Sequence, residues 1–222
     1  MTTASSTRAP LTAQQIHEGV TASVAAAPVF GVVRTDSRDQ ALRQARAFRD
    51  AGIVLVEITF TVPGALEVVE ALLEEREGSG PPWVGMGTVT TPERARQALA
   101  VGAEFVITPN VNAAVAEIAR GSDVFLVLGA LTPSEIAAAA ELEPDLVKTY
   151  PLPPVGGPGY LATVRLPLPD VPILASGGFG PEEIPDYRRV GAVAFGLGAQ
   201  LFGPDAESSR RRIQEALEAA RS

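Results

Sequence analysis

Lys148 is the only lysine in the chain; the remainder of its eighteen Lys and Arg residues are arginines. It lies in the apolar, strand-like run Leu146-Val147-Lys148-Thr149-Tyr150, which Pro151 closes. Arginine stays protonated in proteins, whereas a lysine amine withdrawn from water can shed its proton and attack a carbonyl. A lysine placed by chance is a solvated surface residue, and the apolar flanks here point instead to an amine nucleophile. Two other charged residues follow all-apolar runs, Arg34 after Val29–Val33 and Glu57 after Ile53–Val56. For either one alone a structural ion pair is the plain alternative. Together the three supply a fixed cation, a group that can carry a proton, and an amine that can form a Schiff base.

Composition removes several other chemistries. The chain has no cysteine, so disulfides and thiolate catalysis are excluded. Its single histidine, His17, reads as a polar-face helix residue near the N-terminus, and neither a histidine-based zinc site nor a Ser-His-Asp triad can be built from it. Carboxylates alone could still hold a metal; no cofactor is expected. The formal net charge of −8 argues against nucleic acid or an anionic membrane as a partner, since both call for a basic patch. The apolar stretch from Val20 to Val33 is too short for a membrane span and has no basic lead-in, so a cytoplasmic soluble protein is expected.

Groups this far apart in sequence need a scaffold that brings them together. Eight short apolar runs alternate with segments of helical periodicity: Val29–Arg34, Ile53–Thr59, Trp83–Gly87, Phe105–Thr108, Val124–Leu128, Leu146–Thr149, Val171–Ala175 and Val193–Gly196. Between them, Thr91-Pro92-Glu93, Thr132-Pro133-Ser134-Glu135 and Gly180-Pro181-Glu182-Glu183 mark helix starts, and Gly52, Gly102 and Gly191 mark helix ends. Eight βα units in 222 residues predict an α/β fold, a (βα)8 TIM barrel in a single domain over residues 1–222. An extra helix over Leu11–Ser23 is placed to close the barrel bottom, a closing helix spans Pro204–Ser222, and residues 1–10 read as flexible. Pro151–Pro158 reads as a proline-rich loop. An open doubly wound sheet is the runner-up, but no full dinucleotide fingerprint supports it.

Active sites of such barrels gather at the C-terminal ends of the strands. Lys148, Glu57 and Arg34 all fall near those ends. A second group, Gly177-Gly178 and Gly196-x-Gly198, follows strands seven and eight, where backbone N–H groups frequently hold phosphate or another anion. The plain alternative is that these glycines only make tight turns.

The ordered set Glu57-Ile58-Thr59-Phe60-Thr61-Val62-Pro63, Gly85-Met86-Gly87-Thr88-Val89, Phe105-Val106-Ile107-Thr108-Pro109, Lys148-x-x-Pro151 and Ser176-Gly177-Gly178 resembles the 2-keto-3-deoxy-6-phosphogluconate (KDPG) aldolase / 4-hydroxy-2-oxoglutarate (KHG) aldolase family. The resemblance runs from about Pro28 to Gly203. It implies a metal-independent class I aldolase, usually a homotrimer, that cleaves a 2-keto-4-hydroxy acid to pyruvate and an aldehyde. It further implies Lys148 as Schiff-base nucleophile and Glu57 as proton shuttle. Arg34 and Thr88 would hold the pyruvyl carboxylate, Thr61 and Pro109 would line the pocket, and Gly177, Gly178, Gly196 and Gly198 would cradle a distal phosphate. Where relatives often carry an arginine this chain has Thr61, and where they often carry a serine that contacts phosphate it has Ala199. Two competing readings use the same residues. One is a phosphosugar isomerase, epimerase or synthase with Glu57 as base and Lys148 as a charge only; the other is a non-catalytic, ligand-binding barrel.

Overall fold

The computed structural model describes residues 11–76, 78 and 80–221, so the expected flexibility of residues 1–10 lies outside the described residues. Eight strands pair in parallel and in sequence order: β1 (Val29–Val33), β2 (Leu55–Thr59), β3 (Trp83–Gly87), β4 (Phe105–Ile107), β5 (Phe125–Ala130), β6 (Leu146–Thr149), β7 (Ile173–Ser176) and β8 (Ala192–Leu197). The last strand returns to the first through Val29↔Phe195, Phe30↔Gly196 and Gly31↔Leu197, which closes the sheet into a barrel and excludes the open sheet.

Side-chain direction alternates along a strand, and both faces are buried. Phe30, Leu55, Trp83, Phe105, Phe125, Leu146 and Leu174 point inward and fill the lower barrel. Their neighbours Val29, Val56, Val84, Val106, Leu126, Val147 and Ile173 point outward into the helix layer. The interior is tight enough that a methyl group on Gly85 would overlap the Phe105 ring, which itself meets Phe30 edge-on at 5.4 Å.

The helices are α1 (Ala13–Ala26), α2 (Arg38–Asp50), α3 (Ala65–Glu74), α4 (Pro92–Ala100), α5 (Ala113–Gly121), α6 (Pro133–Ala140), α7 (Gly157–Arg165), α8 (Ile184–Arg189) and α9 (Ala206–Arg221). Ser37, Thr91, Asn112 and Thr132 cap the starts of α2, α4, α5 and α6 with side-chain oxygens. Helix α1 closes the barrel bottom: Val20 is fully buried in the inner core, and Trp83 Nε1 donates to Ser23 Oγ at 2.9 Å. His17 does not face solvent as a plain polar-face residue. Its Nε2 lies 2.7 Å from Asp145 Oδ1, and its ring meets Phe125 edge-on.

Two expectations shift. The Pro151–Pro158 segment is not all loop: a 3-10 turn at Pro153–Val155 leads into α7, which begins at Gly157. Proline is tolerated in a first helical turn, where no N–H partner is needed, so Pro154 and Pro158 start these elements rather than prevent them. The single helix expected over Pro181–Val190 is a 3-10 turn, Pro181–Glu183, followed by α8, because Pro185 lacks the N–H that would join them.

Candidate active site

The C-terminal mouth of the barrel brings the three charged residues together. Leu55 and Leu146 belong to the inner core, so two residues later Glu57 and Lys148 also point inward. Glu57 does not close its strand. Ile58 and Thr59 still pair with Met86 and Gly87, leaving Glu57 mid-strand and 1% exposed. Lys148 pairs with Gly129 and Leu174 and is 8% exposed. Its Nζ lies 3.6 Å from Glu57 Oε2 and 5.7 Å from the centre of the Tyr150 ring. Glu57 Oε1 is buried with no hydrogen-bond partner. Leaving a buried carboxylate oxygen unmatched is costly, so Oε1 is free to accept a further hydrogen bond.

Glycine makes the room for this pair. A Cβ on Gly87 would overlap Glu57 Oε1, so β3 must end in glycine for the carboxylate to lie across it. Similarly, a Cβ on Gly129 would overlap the Pro109 backbone. The Gly129 N–H donates to Thr108 Oγ1 at 2.9 Å, and Thr108 Oγ1 donates to the Asn110 carbonyl at 2.7 Å. These bonds hold Pro109 against the strand that neighbours Lys148. Gly87, Gly129 and Thr108 were not singled out for these roles from sequence. The available signal was glycine at alternate, inward positions of Trp83-x-Gly85-x-Gly87.

Arg34 lies just beyond β1 and is exposed. It donates from Nη1 to Thr61 Oγ1 at 2.9 Å and from Nη2 to Thr88 Oγ1 at 3.2 Å. Thr59 extends the network: its Oγ1 bonds Thr61 Oγ1 at 2.8 Å and donates to the Val33 carbonyl at 3.0 Å. Thr88 has φ 59, a left-handed conformation that a β-branched residue adopts only when its surroundings impose it. Arg94 helps to impose it, donating from Nη1 to the Thr88 carbonyl and to Thr90 Oγ1 while stacking over Phe60.

A cavity of about 310 Å³ opens beside Lys148 and Arg34 and is walled by Gly177, Gly178, Gly196 and Gly198. Gly177 and Gly178 have φ 134 and 103, values that favour glycine. Behind them Phe179 stacks on Tyr187 at 4.2 Å, and burial pushes the Tyr187 hydroxyl up to about 12. Ser176 lines the cavity with its Oγ donating to the Gly196 carbonyl at 3.0 Å. Thr61 and Thr88 touch Arg34 and Glu57 faces Lys148, but these three and Pro109 do not themselves line the cavity. Gln44, Tyr150 and Gln200 also line it, and none was named as a site residue from sequence. A larger cavity of about 730 Å³ lies at the opposite end of the barrel, among residues of α1, α8 and α9, away from Lys148. Among the described residues no three His, Asp or Glu side chains converge as a metal site requires, and no helix is long and apolar enough to cross a membrane.

Residues 20–215 match the family model for KDPG and KHG aldolase. A 2-dehydro-3-deoxy-6-phosphogalactonate aldolase of Escherichia coli K12 is 28% identical over 190 residues, covering 85% of this chain and 91% of the relative. A solved structure described as native KDPGal superposes with a TM-score of 0.78 at 27% identity, covering 87% of this chain and 94% of the other. A cube-shaped protein cage designed by fusing symmetric oligomeric domains also matches, with a TM-score of 0.78 at 27% identity over 88% of this chain and 72% of its own.

Proposed function

The chain belongs to the KDPG and KHG aldolase family, and from that premise we propose that Lys148 is the Schiff-base nucleophile of a class I aldolase that cleaves a 2-keto-4-hydroxy acid to pyruvate and an aldehyde. The observation that carries the assignment is the buried Lys148–Glu57 pair, 3.6 Å apart, at the barrel mouth beside a cavity that Arg34 also lines.

The chemistry follows from that arrangement. Attack on the C2 carbonyl needs a free amine, and Glu57 is the group positioned to take the proton from the Lys148 ammonium. Addition gives a carbinolamine, whose hydroxyl takes that proton back from Glu57 and leaves as water, giving an iminium and restoring the Glu57 carboxylate. The iminium draws electrons from C3, so the C3–C4 bond breaks with its pair forming an enamine while the C4 hydroxyl proton passes to Glu57. Glu57 Oε1, buried and unpartnered, is the acceptor available for that proton. The aldehyde leaves, Glu57 returns the proton to C3, and water releases pyruvate from Lys148. Arg34, aimed by Thr61 and Thr88, would bind the carboxylate and set the keto group over the amine. Gly177, Gly178, Gly196 and Gly198 would receive the far end of the substrate.

Incubation with pyruvate and borohydride, followed by digestion and mass spectrometry, tests the assignment. A reduced pyruvyl adduct on Lys148 is expected. Because there is only one lysine, the α-amino group is the only other amine that could be trapped, and an unmodified Lys148 would remove the Schiff base from the mechanism. A homotrimer and a cytoplasmic location belong to the same proposal. The matched cage built from symmetric oligomeric domains supports an oligomer, and light scattering on the purified protein would report its mass.

A further inference from the structure

We infer that Arg94 sets how tightly the site holds the carboxylate of its keto acid, as a positioning residue that touches no substrate and acts through Thr88. The inference rests on the aldolase assignment and adds a residue to its carboxylate pocket.

The hydroxyl hydrogens of that pocket are mostly spent. Thr59 gives its single hydroxyl hydrogen to the Val33 carbonyl, so in the 2.8 Å bond between Thr59 and Thr61 the donor is Thr61. Thr61 also accepts from Arg34 Nη1 and has no hydrogen left to offer. Thr88 accepts from Arg34 Nη2 and donates to none of the described residues. Of these three threonines only Thr88 keeps a hydrogen for a carboxylate oxygen, beside the N–H donors that Arg34 has left.

Where that hydrogen points follows from the backbone of Thr88. Its φ of 59 is costly for a β-branched residue and persists only when neighbours enforce it. Arg94 is such a neighbour. Its Nη1 donates to the Thr88 carbonyl at 3.3 Å and to Thr90 Oγ1 at 2.9 Å, which grips the turn on both sides of Val89. Its Cζ lies 5.2 Å from the centre of the Phe60 ring, and the Phe60 N–H donates to the Gly87 carbonyl at 2.9 Å. Phe60 stands between Thr59 and Thr61 in the chain, so Arg94 ties together the two loops whose hydroxyls aim Arg34.

Helix stability does not explain an arginine here. Arg94 lies in the first turn of α4, just after the Thr91 cap, where the helix dipole disfavours a cation. It is half-buried, and its neighbour Glu93 faces Arg96 instead, at 3.7 Å. Among the described residues no acid stands within ion-pair reach of Arg94 or of Arg34. A carboxylate held by Arg34 brings the negative charge that this corner does not supply itself. That carboxylate keeps its charge from free pyruvate to the enamine, so its recognition is uniform along the reaction and belongs in KM rather than kcat.

Exchange of the pyruvate methyl hydrogens in D2O, followed by NMR, tests this without an aldehyde. In the iminium a C3–H bond breaks, its electron pair forms the enamine double bond, the proton passes to Glu57, and a deuteron from solvent returns by the same route. Arg94→Met keeps the packing on Phe60 and loses the donors and the charge. It should raise KM for pyruvate at least about tenfold, the weight of one charge-assisted hydrogen bond, and leave kcat within about threefold. For pyruvamide, the uncharged counterpart, kcat/KM should stay within about threefold of the wild type. Arg94→Gln should show the same pattern and carries the test if Arg94→Met does not fold. A folded variant whose KM for pyruvate stays within about threefold of the wild type overturns the inference. So does one that loses pyruvate and pyruvamide alike, which would make Arg94 structural only. The borohydride trap run on the same wild-type preparation separates the two claims. A Lys148 adduct with an unmoved KM in the variants overturns the positioning role alone; no adduct and no exchange overturns the aldolase assignment and this inference with it.

Discussion

Gly87→Ala, one methyl group on a residue that touches no substrate in the proposed mechanism, should disable the site. An ideal Cβ at this position lies 2.5 Å from Glu57 Cδ and 2.6 Å from Cγ, and closer still to Oε1. Ordinary contact begins at about 3.4 Å, so the carboxylate must retreat by roughly 0.9 Å or more. A misplacement of about 1 Å at a reacting group costs on the order of a hundredfold in rate, or about 2.7 kcal/mol in the barrier. The displacement also moves Glu57 against the 3.6 Å spacing from Lys148 on which proton transfer depends. Overpacking of this kind costs about 1–3 kcal/mol of stability, a fall in Tm of roughly 2–12 °C for a chain of this size. The assay is kcat and KM for cleavage alongside a thermal melt, at a temperature where the variant is folded. A folded Gly87→Ala protein that retains more than half of wild-type kcat would refute the claim that this glycine exists to seat Glu57.

Three further outcomes are expected. Lys148→Arg should abolish cleavage with a near-native melt, because a guanidinium keeps the charge and cannot form the iminium; residual turnover above background would refute the nucleophile assignment. Glu57→Gln should lower kcat by about 10²–10⁴, the usual weight of a general acid–base group, and weaken pyruvate binding far less, so equal losses in titration calorimetry and turnover would argue against a proton-transfer role. At the barrel bottom, burial opposes protonation of His17, but the hydrogen bond and charge of Asp145 outweigh it, and the pKa is raised above its ordinary 6.5. A raised folded-state pKa contributes stability that is complete below pH 6.5 and is lost as pH climbs through the folded value; Tm measured from pH 5.5 to 9 should show that decline, and His17→Gln should flatten it.

Much of the fold was legible because each local signal agreed with the others. Apolar runs of strand length recur eight times, punctuated by the Thr-Pro helix starts at Thr91 and Thr132 and the glycine stops at Gly52, Gly102 and Gly191, and that alternation admits few topologies. The departures occur where a proline serves two roles. Pro154 and Pro158 read as loop residues but sit in the first turns of short helices, and Pro185 divides one expected helix into two elements.

Of the site, the residues that carry charge were legible and the residues that hold them were not. A lone lysine in an apolar strand, and an acid and an arginine following apolar runs, stand out by type, since a buried charge needs a reason wherever it occurs. The spacing between Lys148 and Glu57 is different in kind. It depends on β2 and β6 standing across the barrel from one another, which no local pattern encodes. The empty space at Gly87 and Gly129, the left-handed turn of Thr88 held by Arg94, and the approach of Gln44 from a helix to the glycine turn are likewise relations between segments distant in sequence. Sequence alone determined which groups could do chemistry, because reactivity belongs to residue type and local burial. Only the tertiary structure decided which of them meet and what fits between them, because distance and volume are set by the closure of the whole barrel.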